Sequence, residues 1–368
     1  VNVAVVNWRD PWHPAAGGAE TYAWEMARRF AAAGHRVCFV TARASGQRRG
    51  ERIDGVRIAR MGGPFTVYAR VLLWLLLRRG LFDAVLDCQN GIPFFSPWVL
   101  ARRTRIICVV HHVHDRQFGV HLPRWLAAVG RFLEGPVSRW TYRRHESVAV
   151  SPSTVSAMRE RLGWAGRIHV IPNGVNAPSP ARLPPGGPAP RLVCVGRLVA
   201  HKRVDLLLDA VEELRERRPG LTVDIVGRGP EEARLRARLP AGVTMHGYLP
   251  EQDKERLIAS AWLQVNTSQG EGWGLCVLEA AAVGVPTVAF DVDGLRDAVR
   301  HGETGWLVPE GADLAKGIAA ALDELEDGHR EDYGARCRDW AARFRWERSA
   351  ELMAALLLGR TPPTWEER

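Results

Sequence analysis

Glu271 and Glu279 close the segment EGWGLCVLE, with seven residues between them. Gly272 and Gly274 let the backbone approach a ligand closely. A helix predicted to start near Gly274 would turn its free N–H groups outward, which is how a helix start binds phosphate. At 3.6 residues per turn Glu279 falls about two turns along that helix. A carboxylate there can accept a pair of ribose hydroxyls, while Glu271 at the loop mouth can meet a sugar. Two acids alone fit better a helix with one exposed and one capping acid. A second cluster shifts that balance. The apolar run LVCVG ends at Gly196 and is followed by Arg197 and, five residues on, Lys202. Two cations in a loop between a strand and a helix suit a diphosphate, the arginine as a fork and the lysine as a point charge. Lysine occurs only at 202, 254 and 316, so its presence in this loop stands out.

Gly17-Gly18, just ahead of a helical pattern over Thr21–Ala33, can present N–H groups to an oxyanion. His111, His112, His114 and Asp115 follow a buried strand in VVHHVHD. Their types suit zinc, but no second ligand group accompanies them, so contact with an acceptor is the better reading. Asp291-Val292-Asp293 has the DxD form of metal-dependent sugar transferases of another fold, but follows a strand and enters a glycine turn. GRGPE at 227–231 lacks the full dinucleotide fingerprint.

These residues need elements to carry them. Strands are predicted at Val3–Val6, Arg36–Thr41, Ala84–Asp87, Arg105–Val110, Ser147–Ser151 and 168–172. The plan then repeats, with strands at Arg191–Val195, Thr222–Val226, Val243–His246, Leu263–Asn266, Thr287–Phe290 and Trp306–Val308. Helices are predicted at Val204–Arg217 and near 252–260, 275–283 and 312–326. Such alternation predicts an α/β protein with two doubly wound parallel sheets, each binding at the carboxyl ends of its strands. The expected boundaries are 1–172, a Pro-rich linker over 173–190, and 191–344. A C-terminal helix at about 345–368 is expected to pack back on the first domain.

At 368 residues and 46% hydrophobic, the chain can bury two cores. Its net charge of +9 is unevenly spread. Residues 1–172 hold 25 Arg against 11 acids, and the remainder 25 basic residues against 30 acids. A basic half beside an acidic one suits an anionic partner such as a membrane surface or acidic acceptor, or else solvated helix faces. Cys38, Cys88, Cys108, Cys194, Cys276 and Cys337 sit mostly in apolar runs without CxxC spacing, the pattern of buried thiols in a reducing compartment. The stretch Phe65–Leu77 is too short to span a bilayer. It reads as a core helix, with an interfacial helix as the other option.

In order along the chain, GGAE (17–20), IPNGV (171–175), GRLVAHK (196–202), VGRGPE (226–231), HGYLP (246–250), EGWGLCVLEAAAVGVP (271–286), HGETGWLV (301–308) and FRWERSA (344–350) resemble glycosyltransferase family 4, retaining enzymes of the GT-B fold. The resemblance implies two Rossmann-like domains facing across a cleft. It implies that Arg197 and Lys202 hold a diphosphate, Glu279 the ribose, and Glu271 the donor sugar. The amides of Trp273, Gly274 and Leu275, beside Gly272, would meet sugar and phosphate, with Gly17 and Gly18 closing from the other domain. Arg228 and Tyr248 would line the nucleobase pocket. His111, or else His114, would touch the donor sugar. Acceptor contacts would fall to His112, His114 and Asn90, the last in the acceptor-side segment QNGIPFFSP (89–97). Where the family often has GFG, Trp273 stands between the glycines, and Asp297 replaces a glutamate after the next strand.

The expected activity is retaining transfer of a sugar from a nucleotide-diphosphate donor to an acceptor hydroxyl, with no cofactor and no metal. The acceptor would be a small molecule, a saccharide or a lipid-linked compound. The expected location is the cytoplasm, with peripheral contact at the inner membrane face left open. An epimerase or phosphorylase on the same fold is one rival. A basic nucleic-acid or membrane-binding protein is the other, suggested by the interleaved arginines and aromatics of VSRWTYRRH (137–145), although its sparse aromatics argue against nucleic acid.

Overall fold

Continuous apolar runs such as NVAVV and RVCFV are what a parallel strand needs when both sheet faces are covered. The computed structural model of the chain describes residues 1–115, 118–121, 123–176, 187 and 189–365. It divides into one unit of Val1–Gly174 with Trp346–Arg368, and another of Val175–Arg345. Of the Pro-rich linker expected at 173–190, residues 177–186 and 188 lie outside the described residues.

The first unit holds β1 (Asn2–Val6), β2 (Arg36–Thr41), β3 (Gly50–Ile53), β4 (Val56–Arg60), β5 (Ala84–Asn90), β6 (Arg105–His112), β7 (Glu146–Ala149) and β8 (Ile168–Val170). They form one sheet in the order β3-β4-β2-β1-β5-β6-β7-β8. All neighbours are parallel except β3 and β4, a hairpin joined by Asp54 and Gly55, both at positive φ. Helix Trp346–Leu357 belongs to this unit. Ser349 Oγ donates to Pro172 O at 2.7 Å, and Trp346 meets Tyr22 edge-on with ring centroids 6.0 Å apart.

The second unit holds β9 (Arg191–Val195), β10 (Thr222–Val226), β11 (Val243–Gly247), β12 (Leu263–Asn266), β13 (Thr287–Phe290) and β14 (Gly305–Val308), ordered β11-β10-β9-β12-β13-β14 and all parallel. Its main core is aliphatic, centred on Leu192, Leu207, Ile225, Leu263, Val288 and Ile318.

Phe65–Leu77 departs from the core-helix reading. Helix Val67–Leu76 buries Val67, Val71 and Leu75 and leaves Leu73 and Leu76 exposed, with Phe65 and Leu77 exposed at its ends. The i, i+4, i+8 spacing covers one face, and the remaining apolar residues fall on the other. All six cysteines are free, five of them buried.

Candidate functional site

In an open parallel sheet the binding crevice lies beyond the carboxyl ends of the strands, where the connections leave in opposite directions. In the second unit that point lies between β9, which leads to β10, and β12, which leads to β13. The two loops that leave there are tied together. Thr267 Oγ1 donates to Lys202 O at 2.7 Å, and Gln269 N to His201 O at 2.9 Å. Arg203 donates to Thr267 O and Ser268 O at 3.0 and 3.1 Å. Lys202 Nζ pairs directly with Glu271 Oε1, which also accepts from Ser268 Oγ at 2.8 Å. Burial alone would push the Glu271 carboxyl up, but the Lys202 ammonium and the Ser268 hydroxyl outweigh it and hold it below the usual range. The pair is half-buried, so its charges act through less water than at an open surface.

Gly274, three residues after Glu271 in sequence, is the N-cap of helix Leu275–Ala282, with φ of 91°, and the first N–H groups of a helix have no carbonyl partner in the preceding turn. The Trp273 side chain lies 2% exposed against Phe344, centroids 5.1 Å apart, so it anchors the loop between the two glycines. The loop's other brace is Glu271 N donating to Asp293 O at 2.9 Å. The carboxylates of Asp291 and Asp293 pair with Arg296, so this DxD is a strand-end turn. Among the described residues no group of three His, Cys, Asp or Glu side chains could hold a metal ion. Burial pushes the Cys276 thiol up to about 12, which keeps it protonated at neutral pH.

Glu279 lies further along the same helix and pairs with Lys254 Nζ at 3.0 Å, an ammonium it shares with Glu251, also at 3.0 Å. Burial raises the Glu279 carboxyl and Lys254 offsets this only in part. Lys254→Gln should therefore leave Glu279 uncompensated and raise it further. Nucleoside diphosphate affinity is then expected to fall about tenfold at neutral pH, a loss of about 1.4 kcal/mol, and to recover as rising pH ionises the carboxyl. The wild type should stay nearly flat over that range. Titrations from pH 6 to 8.5 test this, and parallel profiles for the two proteins would refute it.

Arg197 leaves β9 in a loop that lies against the one after β10. Leu198 N donates to Arg228 O at 2.9 Å, and Glu231 N to Leu198 O at 3.0 Å. A Cβ on Gly227 would stand 1.8 Å from Gly196 O, and one on Gly229 2.1 Å from Leu198 O. The glycines of GRGPE thus permit contact between two backbones. Arg228 and Tyr248 are exposed at the ends of β10 and β11.

In the first unit the equivalent point lies between β1 and β5. Gly17 caps helix Gly18–Ala32, which starts one residue ahead of the Ala19–Thr21 start expected. Gly17 N donates to Glu20 Oε2 at 2.8 Å, and Asn90 Nδ2 lies 3.5 Å from Glu20 Oε1. The buried Glu20 thereby joins the glycine turn to the end of β5. His111, on β6, is buried edge-to-face against Tyr22, centroids 5.2 Å apart, and its Nε2 has no hydrogen-bond partner among the described residues. Burial, then His114, pull its pKa down to about 3, so the ring is neutral. His114 donates its backbone N–H to the buried Glu134 at 2.6 Å, and its Nδ1 bonds His112 O at 2.9 Å. His112 follows His111 on β6, half-buried. Sequence reasoning singled out no role for Glu20, Arg203, Lys254 or Ser268.

Residues 16–179 match the family model described as Glycosyltransferase Family 4, and residues 189–327 the one described as Glycosyl transferases group 1. The chain is 33% identical over 290 residues to a GDP-mannose-dependent alpha-(1-6)-phosphatidylinositol monomannoside mannosyltransferase of Mycolicibacterium smegmatis, covering 71% of this chain and 72% of that one. It is 28% identical to a glycogen synthase of Mycobacterium tuberculosis, covering 97% and 94%. In fold it is similar to sucrose-phosphate synthase from Thermosynechococcus elongatus, with a TM-score of 0.81, 20% identity, and coverage of 97% and 98%.

Proposed function

The chain belongs to glycosyltransferase family 4 and is a glycosyltransferase of the GT-B fold, and from that premise we propose that it transfers a sugar from a nucleotide-diphosphate donor to an acceptor hydroxyl with retention and without a metal ion. The observation that carries the donor reading is the Lys202–Glu271 pair, which joins the loop after β9 to the loop that leads into the N-cap Gly274 of helix Leu275–Ala282.

As the bond between the anomeric carbon and the diphosphate oxygen breaks, negative charge builds on the diphosphate. Arg197, Lys202 and the helix N–H groups would stabilise it, the kind of contribution that dominates many enzymes' rate enhancements. That supply of positive charge is the physical ground for metal independence. The acceptor oxygen bonds to the anomeric carbon on the face the diphosphate leaves, and its proton passes to the departing phosphate oxygen. Glu279 would take the ribose hydroxyls, and Glu271 with the amides of 273–275 the sugar. Gly17 and Gly18 would contribute from the first unit. Arg228 and Tyr248 would border the base, and Asn90, His112 and His114 the acceptor. A neutral His111 would act as a hydrogen-bonding group rather than a charge. The relative that is named as GDP-mannose-dependent supports a nucleotide sugar as donor and leaves the base to experiment.

Melting the protein with UDP, GDP, ADP and dTDP is expected to show stabilisation by one of them. At 100 times its dissociation constant a ligand adds about 2.7 kcal/mol, a rise of several degrees for domains of this size. Stabilisation lost with a chelator would refute metal independence, and a product of inverted anomeric configuration would refute retention.

A further inference from the structure

The first unit displays large apolar side chains that its core does not use. Helix Arg124–Phe132 runs through a π turn, Leu133–Val137, into helix Ser138–Tyr142. At about 100° per residue, Trp125, Val129 and Phe132 lie on one stripe. The π turn takes up one extra residue, which returns Trp140 to that stripe. Trp125 is 70% exposed, Phe132 60%, Trp140 60% and Val129 44%. Ala127, Gly130, Glu134, Ser138 and Tyr142 are the buried side.

Charge is sorted along the same run. Arg124, Arg131, Arg139, Arg143 and Arg144 are all exposed. By the same angular count the first four fall together on one flank of the apolar stripe. The single acid between 123 and 145 is Glu134, which is fully buried, and burial pushes its carboxyl up to about 8. Arg143 also lies over the Trp140 ring, 5.0 Å from its centroid. Trp98, 53% exposed, adjoins the far end, its indole N–H donating to Thr141 Oγ1 at 3.1 Å.

We infer that this face docks the protein on an anionic lipid bilayer, with Trp125, Phe132 and Trp140 entering the headgroup boundary and the arginines meeting lipid phosphates. A helix with aromatic and aliphatic residues on one face and arginine beside them lies in the plane of such an interface. Charge complementarity selects an anionic surface. The aliphatic Val129 and the width of the stripe select lipid over nucleic acid, whose phosphates would satisfy the arginines but leave the apolar side chains in water. Among the described residues no helix is long and apolar enough to cross a membrane, so the contact lies on the surface. The inference does not rest on the donor-site reading.

The experiment is co-sedimentation of the full chain with vesicles of phosphatidylcholine alone, and with vesicles in which phosphatidylglycerol replaces part of it. The expected result is retention on the anionic vesicles only. Trp125→Ser, Phe132→Ser and Trp140→Ser combined should weaken it at least about tenfold, since burying even one such side chain is worth that much. The melting temperature and nucleoside diphosphate binding should stay unchanged, because the three side chains are exposed. Arg124→Gln, Arg131→Gln and Arg143→Gln combined should remove the preference for anionic lipid. Wild-type protein left in the supernatant with both vesicle types would overturn the inference. So would equal retention of the serine variant, or a serine variant that turns a dimer into a monomer while vesicle binding is unaltered.

Discussion

Replacing Lys202 with alanine is expected to lower kcat/KM by about 10²–10³-fold, the size of effect seen when one preorganised group is withdrawn from a developing anion. The ammonium has two jobs in this geometry. It is a candidate partner for the leaving diphosphate, and it neutralises Glu271, which it contacts directly. Without it the Glu271 carboxyl keeps its burial and loses the interaction that outweighs burial, so its pKa rises. While ionised, that carboxylate would also repel the incoming diphosphate. Nucleoside diphosphate affinity of the variant should therefore improve as pH falls and protonates Glu271, the reverse of the trend expected for Lys254→Gln. The wild-type carboxyl is held low, so the stability it contributes is present above the unfolded carboxylate value of about 4.3 and is lost only as pH falls through the lower folded value. Adding Glu271→Gln to Lys202→Ala should restore part of the diphosphate affinity, because the two changes share one interaction. Titration of the four proteins of this cycle measures the coupling. A double variant that binds no better than Lys202→Ala would show that Glu271 does not face the diphosphate.

Both loops of that pair were legible because their chemistry is local. Gly196 with Arg197 and Lys202, and Gly272 with Gly274 ahead of an apolar run, state a strand end and a helix start within a few residues. What the sequence could not display was their meeting. That depends on β9 and β12 being neighbours, although 67 residues separate Val195 from Leu263. The partners that tie the loops, Arg203 and Ser268, were invisible for the same reason. So was Lys254, which reaches Glu279 from the helix Glu251–Ser260. Lysine is rare in this chain, but nothing near Lys254 in sequence names its partner.

The fold followed a similar rule. Parallel strands buried on both faces, such as Arg191–Val195 and Thr287–Phe290, announce themselves as apolar runs and were placed to the residue. The β3–β4 hairpin was missed. Its strands carry Glu51, Arg52, Arg57 and Arg60, and hydrophobic run-finding passes over them. Asp54-Gly55 was the available signal, since a two-residue turn with both residues at positive φ favours that dipeptide. Arg60 is buried in an ion pair with Asp10 and Glu51, a case where a charged residue belongs to the interior because it is paired.

Gly294→Ala is expected to cost about 10²-fold in kcat while leaving the protein folded, although the residue carries no side chain to lose. Gly294 sits at φ of 78°, where an L side chain is strained. A Cβ there would stand 2.3 Å from Glu271 O, 2.7 Å from Glu271 C and 3.0 Å from Gly272 C. These are backbone atoms, so the overlap cannot be relieved by turning a rotamer. The turn Asp291–Gly294 and the loop starting at Glu271 must separate, and they are joined by Glu271 N donating to Asp293 O. Overpacking of this kind costs about 1–3 kcal/mol, which at about 2–4 °C per kcal/mol lowers the melting temperature without unfolding the unit. The catalytic cost is larger because the displaced loop carries Glu271 and leads into the helix start at Gly274. A shift of about 1 Å in a positioning group can lose about 10²-fold in rate. The distinguishing measurement is kcat beside the melting curve and the nucleoside diphosphate titration. The expected pattern is a melting temperature lower by several degrees, weaker diphosphate binding and a large loss of kcat. A lower melting temperature with kcat unchanged would mean that the 271–274 loop does not position the reacting groups, and would remove Glu271 from the donor site.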